Sequence, residues 1–400
     1  MHVTLDYLVV GLIIIMVLAF SANSILSLTS VSLQHVQEEQ LNPLAERLLD
    51  KILLTPGEPL NWEDIYNYPD EENITGFGLG YIKRQDQYMF IDSYVLDLNK
   101  VSRMSIIDFQ PSSNRILKIL GLTWDGEHPK YGFRLRIAPA LNITVTPTEY
   151  SGQAPAVFNI SVKSYDGYPA ANAKVKAIYL VMQMQKKGNE EEVISWRNDT
   201  ALLANWRGEC SVDFRQFLNS IKNKSDVEAY ILLVYASYFG VKSFNHYAKY
   251  SDILDAWITG NYLVVKFPES QEGPQGARHI RGLIQVGEDL IAVANIKDVK
   301  NPKTGEGQWI INKGRYSLRI YEIEGKGIDP SLNLDLLYIF WAPLPGKGKY
   351  CLVLVNYPPI IDYSAPSTLI EGLKIFTTHR YCKMGGLTYV TELSAWRMAE

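Results

Sequence analysis

Three cysteines in 400 residues are too few and too scattered for a disulfide scaffold or a zinc site. Lys and Arg total 39 against 43 Asp and Glu, a formal net charge of −4, so the basic excess expected of a nucleic-acid binder is missing. The histidines are His2, His35, His128, His246, His279 and His379; none stands four residues from another, and there is no HExxH. No G-x-S-x-G elbow occurs, and no two carboxylates have a spacing that demands acid–base work. The glycine-rich stretch Gly76-Phe-Gly-Leu-Gly80 is followed by strand-like rather than helical sequence, so it reads as a flexible turn and not a phosphate loop. Trp341 and Trp396 are expected in the core rather than along a carbohydrate cleft. On these grounds no catalytic residue, cofactor-binding residue or metal ligand is assigned, and the expectation is a non-enzyme without a cofactor.

Hydrophobic residues make up 47% and charged residues 20%, which excludes global disorder and allows a packed core. The length points to two or three domains. The 25 tyrosines against 13 phenylalanines favour half-buried sheet faces.

The most apolar stretch is Tyr7 to Leu28, YLVVGLIIIMVLAFSANSILSL, with no charged side chain. It is long enough to cross a bilayer, which takes roughly 20 residues. One reading is an uncleaved transmembrane anchor; the other is a signal peptide cut near Ser21 and Ala22. Apolar residues continuing through Ile25, Leu26, Leu28, Val31 and Leu33, and an N-terminal MHVTLD without Lys or Arg, favour the anchor. The expected location is the cell membrane, single-pass, with a short N-terminus inside and the bulk of the chain outside. Membrane lipid is then a partner. The helix-packing face would be Leu8, Val9, Gly11, Leu12, Ile13, Met16 and Val17, with Gly11 allowing a neighbouring helix to come close.

From Leu41 the apolar positions Leu44, Leu48, Leu49, Ile52 and Leu53 recur at three and four, with Glu46, Arg47, Asp50 and Lys51 opposite, an amphipathic helix. Thr55-Pro-Gly-Glu-Pro59 ends it. The expected fold is mainly β with a long N-terminal transmembrane and stalk α-helix, then a small α+β head and two β-sandwich-like domains. The boundaries are 1–55 for anchor and stalk, 56–140 for the head, 141–252 for an Ig-like sandwich and 258–400 for a C-terminal sandwich. In the head, Ser112 or Ser113 should cap a helix that Gly121 stops. Phe133, Leu135 and Ile137, alternating with Arg134 and Arg136, should form a strand with one wet face. Beyond it, Phe158, Ile160 and Val162, then Val175, Ala177 and Tyr179, alternate with polar neighbours.

Outside the cytoplasm Cys351 and Cys382 can pair, closing a loop of about 30 residues. Cys210 is then left over as a small buried residue. Asn73, Asn142, Asn159, Asn198 and Asn223 each begin an N-x-S/T sequon and are candidate glycosylation sites.

The charge-free helix running into an amphipathic one, with Asp6 at its start, resembles the architecture of type IV pilin-like proteins. Leu44 to Trp62, Tyr94 to Arg103, Tyr131 to Ile137 and Tyr389 to Met398 are similar to segments of archaeal pilin-like surface proteins. MHVTLD departs from the basic leader of pilin precursors. Tyr165-Asp-Gly-Tyr-Pro-Ala-Ala-Asn-Ala173 and Trp206 to Phe214 resemble turns of Ig-like surface modules. The resemblance implies an extracellular structural or interaction subunit, in adhesion or envelope assembly, with other pilin-like subunits or surface proteins as partners. The alternative is an exported ligand-binding module or hydrolase tethered by one helix.

Overall fold

A computed structural model describes residues 2–67, 71–85, 88–187, 190–221, 229–249, 255–268, 283–286, 293–294, 296–302, 305, 307–312, 316–323, 337–344, 349–354, 360–366 and 374–398. Helical backbone runs from His2 to Leu54 as α1. Its last four turns are amphipathic for the reason their spacing suggests. Ala45, Leu48, Leu49, Ile52 and Leu53 are buried, Leu44 packs at the margin, and Glu46, Arg47 and Lys51 face water. The glycine-rich stretch then does something the sequence reading did not anticipate. The amide of Leu79 donates to Ile52 O (2.7 Å) and that of Gly80 to Thr55 O (2.8 Å), supplying donors to carbonyls at the helix end. A Cβ on Gly78 would stand 2.2 Å from Thr55 O. Glycine is required there by close backbone approach, not by turn flexibility.

Next come β1 (Gly80–Gln85), β2 (Tyr88–Leu96), α2 (Leu98–Ser105), α3 (Ser113–Leu120) and β3 (Tyr131–Pro139). The α3 boundaries follow their caps: Ser112 Oγ accepts from the Arg115 amide, and Gly121 takes a φ of 74° at the other end. In β3, Phe133, Leu135 and Ile137 are fully buried.

The chain then leaves the head for a β-sandwich. Its strands are β4 (Leu141–Ser151), β5 (Ala154–Ser164), β6 (Lys174–Lys187), β7 (Glu190–Leu203), β8 (Glu209–Asp213), β9 (Ala229–Tyr238) and β10 (Val241–Lys249), with the short helix α4 (Arg215–Ser220). They form two sheets, in the orders β4-β5-β8 and β10-β9-β6-β7. Phe158, Tyr179 and Phe214 pack edge to face and tilted in its core, as the period-2 alternation requires.

The remainder comprises β11 (Asp255–Thr259), β12 (Tyr262–Pro268), β13 (Leu283–Val286), β14 (Val293–Ala294), β15 (Ile296–Asp298), β16 (Ile310–Asn312), β17 (Tyr316–Ile323), β18 (Leu337–Leu344), β19 (Lys349–Leu354), β20 (Ile361–Ala365), β21 (Ile375–Met384) and β22 (Leu387–Arg397). Strands β11-β12-β17-β15 make one sheet, with β16 also on β17, and β14-β13-β18-β19 another.

Two features correct the expected fold class. The first is topological. The last three strands do not belong to a C-terminal sandwich; they complete the head in one sheet ordered β1-β2-β21-β22-β3-β20. β22 pairs with β3 along its length, from Tyr389↔Pro139 to Arg397↔Tyr131. The head therefore combines segments from both ends of the chain, and 141–249 is an insertion in it. The sheet of β11, β12 and β17 shares its core too, through Ile258, Leu263, Val265, Phe267 and Tyr321. Sequence reading missed this because a pairing pattern carries no mark of which distant strand completes it. The second concerns the membrane. Among the described residues, no helix is long and apolar enough to cross one. The transmembrane element of the expected fold is withdrawn on that ground.

Leu393 is fully buried in β22 between β3 and β21, so Leu393→Ala should cost about 2–5 kcal/mol. Native-state hydrogen exchange should show the loss in residues 131–139 and 375–397 while residues 154–164 and 174–181 keep their protection. Equal loss in both sets would mean that head and sandwich unfold as one unit.

Candidate interaction site

Helix α1 serves two environments. Leu41 is its first described residue to enter the core, and Pro43 follows while still exposed. The C-terminal part packs on β2, β21 and β22. On its flank, Asp50 Oδ1 accepts from Tyr94 Oη at 3.3 Å and faces Arg380 Nε at 3.4 Å, joining the helix to β2 and β21.

Farther up the helix the surface is apolar and bare. Ile14, Ile15, Met16, Val17, Leu18 and Phe20 are between 53 and 77% exposed. Five consecutive exposed residues, at about 100° each, go round the whole circumference. An apolar helix without a polar face is normally enclosed by other structure. Of the residues proposed for helix packing, Met16 and Val17 lie in this stretch. A Cβ on Gly11 would have nothing within 4 Å, so no contact among the described residues requires glycine there. The side chains of Leu8, Val9, Leu12 and Ile13 lie outside the described residues.

A second cluster sits where the head meets β11 and β12. Asp97 caps α2, accepting from the amides of Asn99 (2.9 Å) and Lys100 (3.4 Å), and its other oxygen stands 3.8 Å from Lys100 Nζ. Asn99 Oδ1 accepts from the Gly260 amide at 3.0 Å, Thr259 Oγ1 donates to Glu63 O at 3.0 Å, and Ser102 Oγ donates to Ile258 O. Arg103 lies over the Trp62 ring at 5.7 Å, donates to Phe109 O at 2.9 Å and also donates to Trp62 O. Burial pushes the Glu63 carboxyl up to about 7, with the nearby Asp97 adding to the rise and Lys100 opposing it. Burial likewise raises Asp97 and lowers Arg103 to about 10. Glu63 Oε2 is enclosed and has no hydrogen-bond partner among the described residues. These bonds tie α2 to the β11–β12 turn, a structural task that the sequence left unsignalled because the partners lie some 160 residues apart.

The remaining expected sites are dispersed. Cys382 is a free, buried thiol on β21, pushed up to about 11 by burial. Its expected partner Cys351 belongs to β19, in a different sheet, and the Cys351 side chain lies outside the described residues. Cys210 is also free and half-buried. Asn73, Asn142 and Asn159 are exposed, Asn198 is half-buried, and Asn223 lies outside the described residues. Trp396 is fully buried, against Gly132. No group of His, Cys, Asp and Glu suited to a metal occurs among the described residues.

No protein-family model matches the chain, and no curated protein does. Among solved structures, trypsin-activated alpha-2-macroglobulin from Escherichia coli aligns at 8% identity over 61% of this chain and 18% of that one, with a TM-score of 0.19. At that score neither fold nor function is carried across.

A carboxyl raised from 4.5 to about 7 on folding binds its proton more tightly in the folded state. Its contribution is therefore intact below pH 4.5 and lost as pH rises to 7. Glu63→Gln should gain about 2–3 kcal/mol relative to the parent between those limits. Urea unfolding of both proteins across pH 4.5–8 measures this; a constant difference would remove Glu63 as the titrating group.

Proposed function

We propose that the chain is a structural subunit of a pilin-like surface assembly, in which the exposed apolar part of α1 packs against the same helix of neighbouring copies. The observation that carries the reading is the all-round exposure of Ile14 to Leu18 on a helix whose other end is locked into the head. Bare apolar surface of this kind marks an interaction site. Helix–helix contact would enclose it, and Gly11 would let two backbones approach closely. The head, with its Ig-like insertion, would then face outwards, consistent with exposed sequons at Asn73, Asn142 and Asn159.

The reading requires self-association through α1. Sedimentation should show concentration-dependent oligomers of the full chain. Ile15→Asp with Leu18→Asp should give a monomer whose melting temperature is unchanged, because neither side chain contributes to the head core. A full-length chain that stays monomeric at all concentrations, or charged variants that still associate, would overturn it.

A further inference from the structure

The sandwich carries a cleft on the side away from its own core. Across β10, β9, β6 and β7, Lys242, Ser237, Lys174 and Leu203 pair directly and so form one row. Tyr235, Lys176 and Ala201 form the next row, and buried Ile178 belongs to a third. Paired residues share a face, as do residues two apart along a strand, so all three rows look the same way. Val175, Ala177 and Val234 occupy the opposite face and fill the sandwich core. Over the rows opens a cavity of about 460 Å³, walled on its far side by Leu387 at the start of β22. Its size is that of a small-molecule site.

The chemistry of this cavity is graded. Lys174 and Lys242 are exposed, and neither forms an ion pair among the described residues. They lie two strands apart, about 10 Å between backbones, with Ser237 midway. Two lysine side chains can converge from that separation on one anionic group above the serine hydroxyl. Leu203, 64% exposed, stands beside Lys174, and Ile178 and Leu387 extend the apolar surface inward.

We propose that the cleft binds a small amphipathic carboxylate. The carboxylate sits between Lys174 and Lys242 over Ser237, and the alkyl part lies against Leu203, Ile178 and Leu387. Neither the apolar face of α1 nor any assembly through it is involved.

The test is calorimetric titration of the full chain with octanoate at low salt, alongside octan-1-ol and inorganic phosphate. Octanoate should bind saturably at one site per chain, octan-1-ol at least tenfold more weakly, and phosphate not at all. Lys174→Gln and Lys242→Gln should each weaken octanoate about three- to fivefold and flatten its salt dependence. Ala201→Phe, at an exposed lining position, should fill the cleft and abolish binding with an unchanged circular dichroism spectrum. The two exposed lysine variants decide the matter if Ala201→Phe does not fold. Absence of saturable octanoate binding, equal binding of octan-1-ol or phosphate, or lysine variants that bind like the parent would overturn the proposal.

Discussion

The rest of the molecule depends on the docking of the last turns of α1 onto a hairpin more than 300 residues away in sequence. Leu48, Leu49, Ile52 and Leu53 bury against strands that end at Arg397. At about 1.5–3 kcal/mol for each fully buried leucine or isoleucine, their burial is comparable with the whole net stability of a domain. Remove the hairpin and this face of the helix has no cover. Remove the helix and the inner face of β2, β21 and β22 is opened to water.

That closure explains the layout of the rest. With β22 lying between β3 and β21, the chain between β3 and β20 must leave the head and return. It does so as the 141–249 sandwich and the sheets that follow. Both excursions are secured at their roots. Tyr165 Oη donates to Glu392 on β22 at 2.9 Å, and the Ala140 amide donates to Thr388 O at 3.0 Å. The Asn99–Gly260 bond performs the same service for β11 and β12. A long-range closure of this kind pays its loop entropy before strand pairing returns anything, which predisposes such a fold to slow formation.

The function proposed above uses the same asymmetry. One end of α1 has its apolar face satisfied inside the chain, and the stretch around Ile15 does not. A rigidly held helix that offers bare apolar surface on every side is suited to association, since its head end cannot fold back over it without leaving the sheet. The cleft above Lys174 and Lys242 is a separate feature of the inserted sandwich and depends on cross-strand register instead.

What could be read without coordinates was local. The burial of Leu48, Leu49, Ile52 and Leu53, the caps Ser112 and Gly121 and the inward alternation of Phe133, Leu135 and Ile137 follow from side-chain period and cap chemistry within a few residues. The return of β20 to β22 into the head, the contact of Gly78 with Thr55 and the cross-strand row that sets Lys242 and Lys174 on either side of Ser237 were not legible. Each joins residues far apart along the chain or in different sheets. A strand's own sequence specifies which face is apolar, but its partner is chosen by how all the faces can be covered at once. Sequence alone therefore determined the elements and their buried sides, and tertiary packing decided which elements share a core.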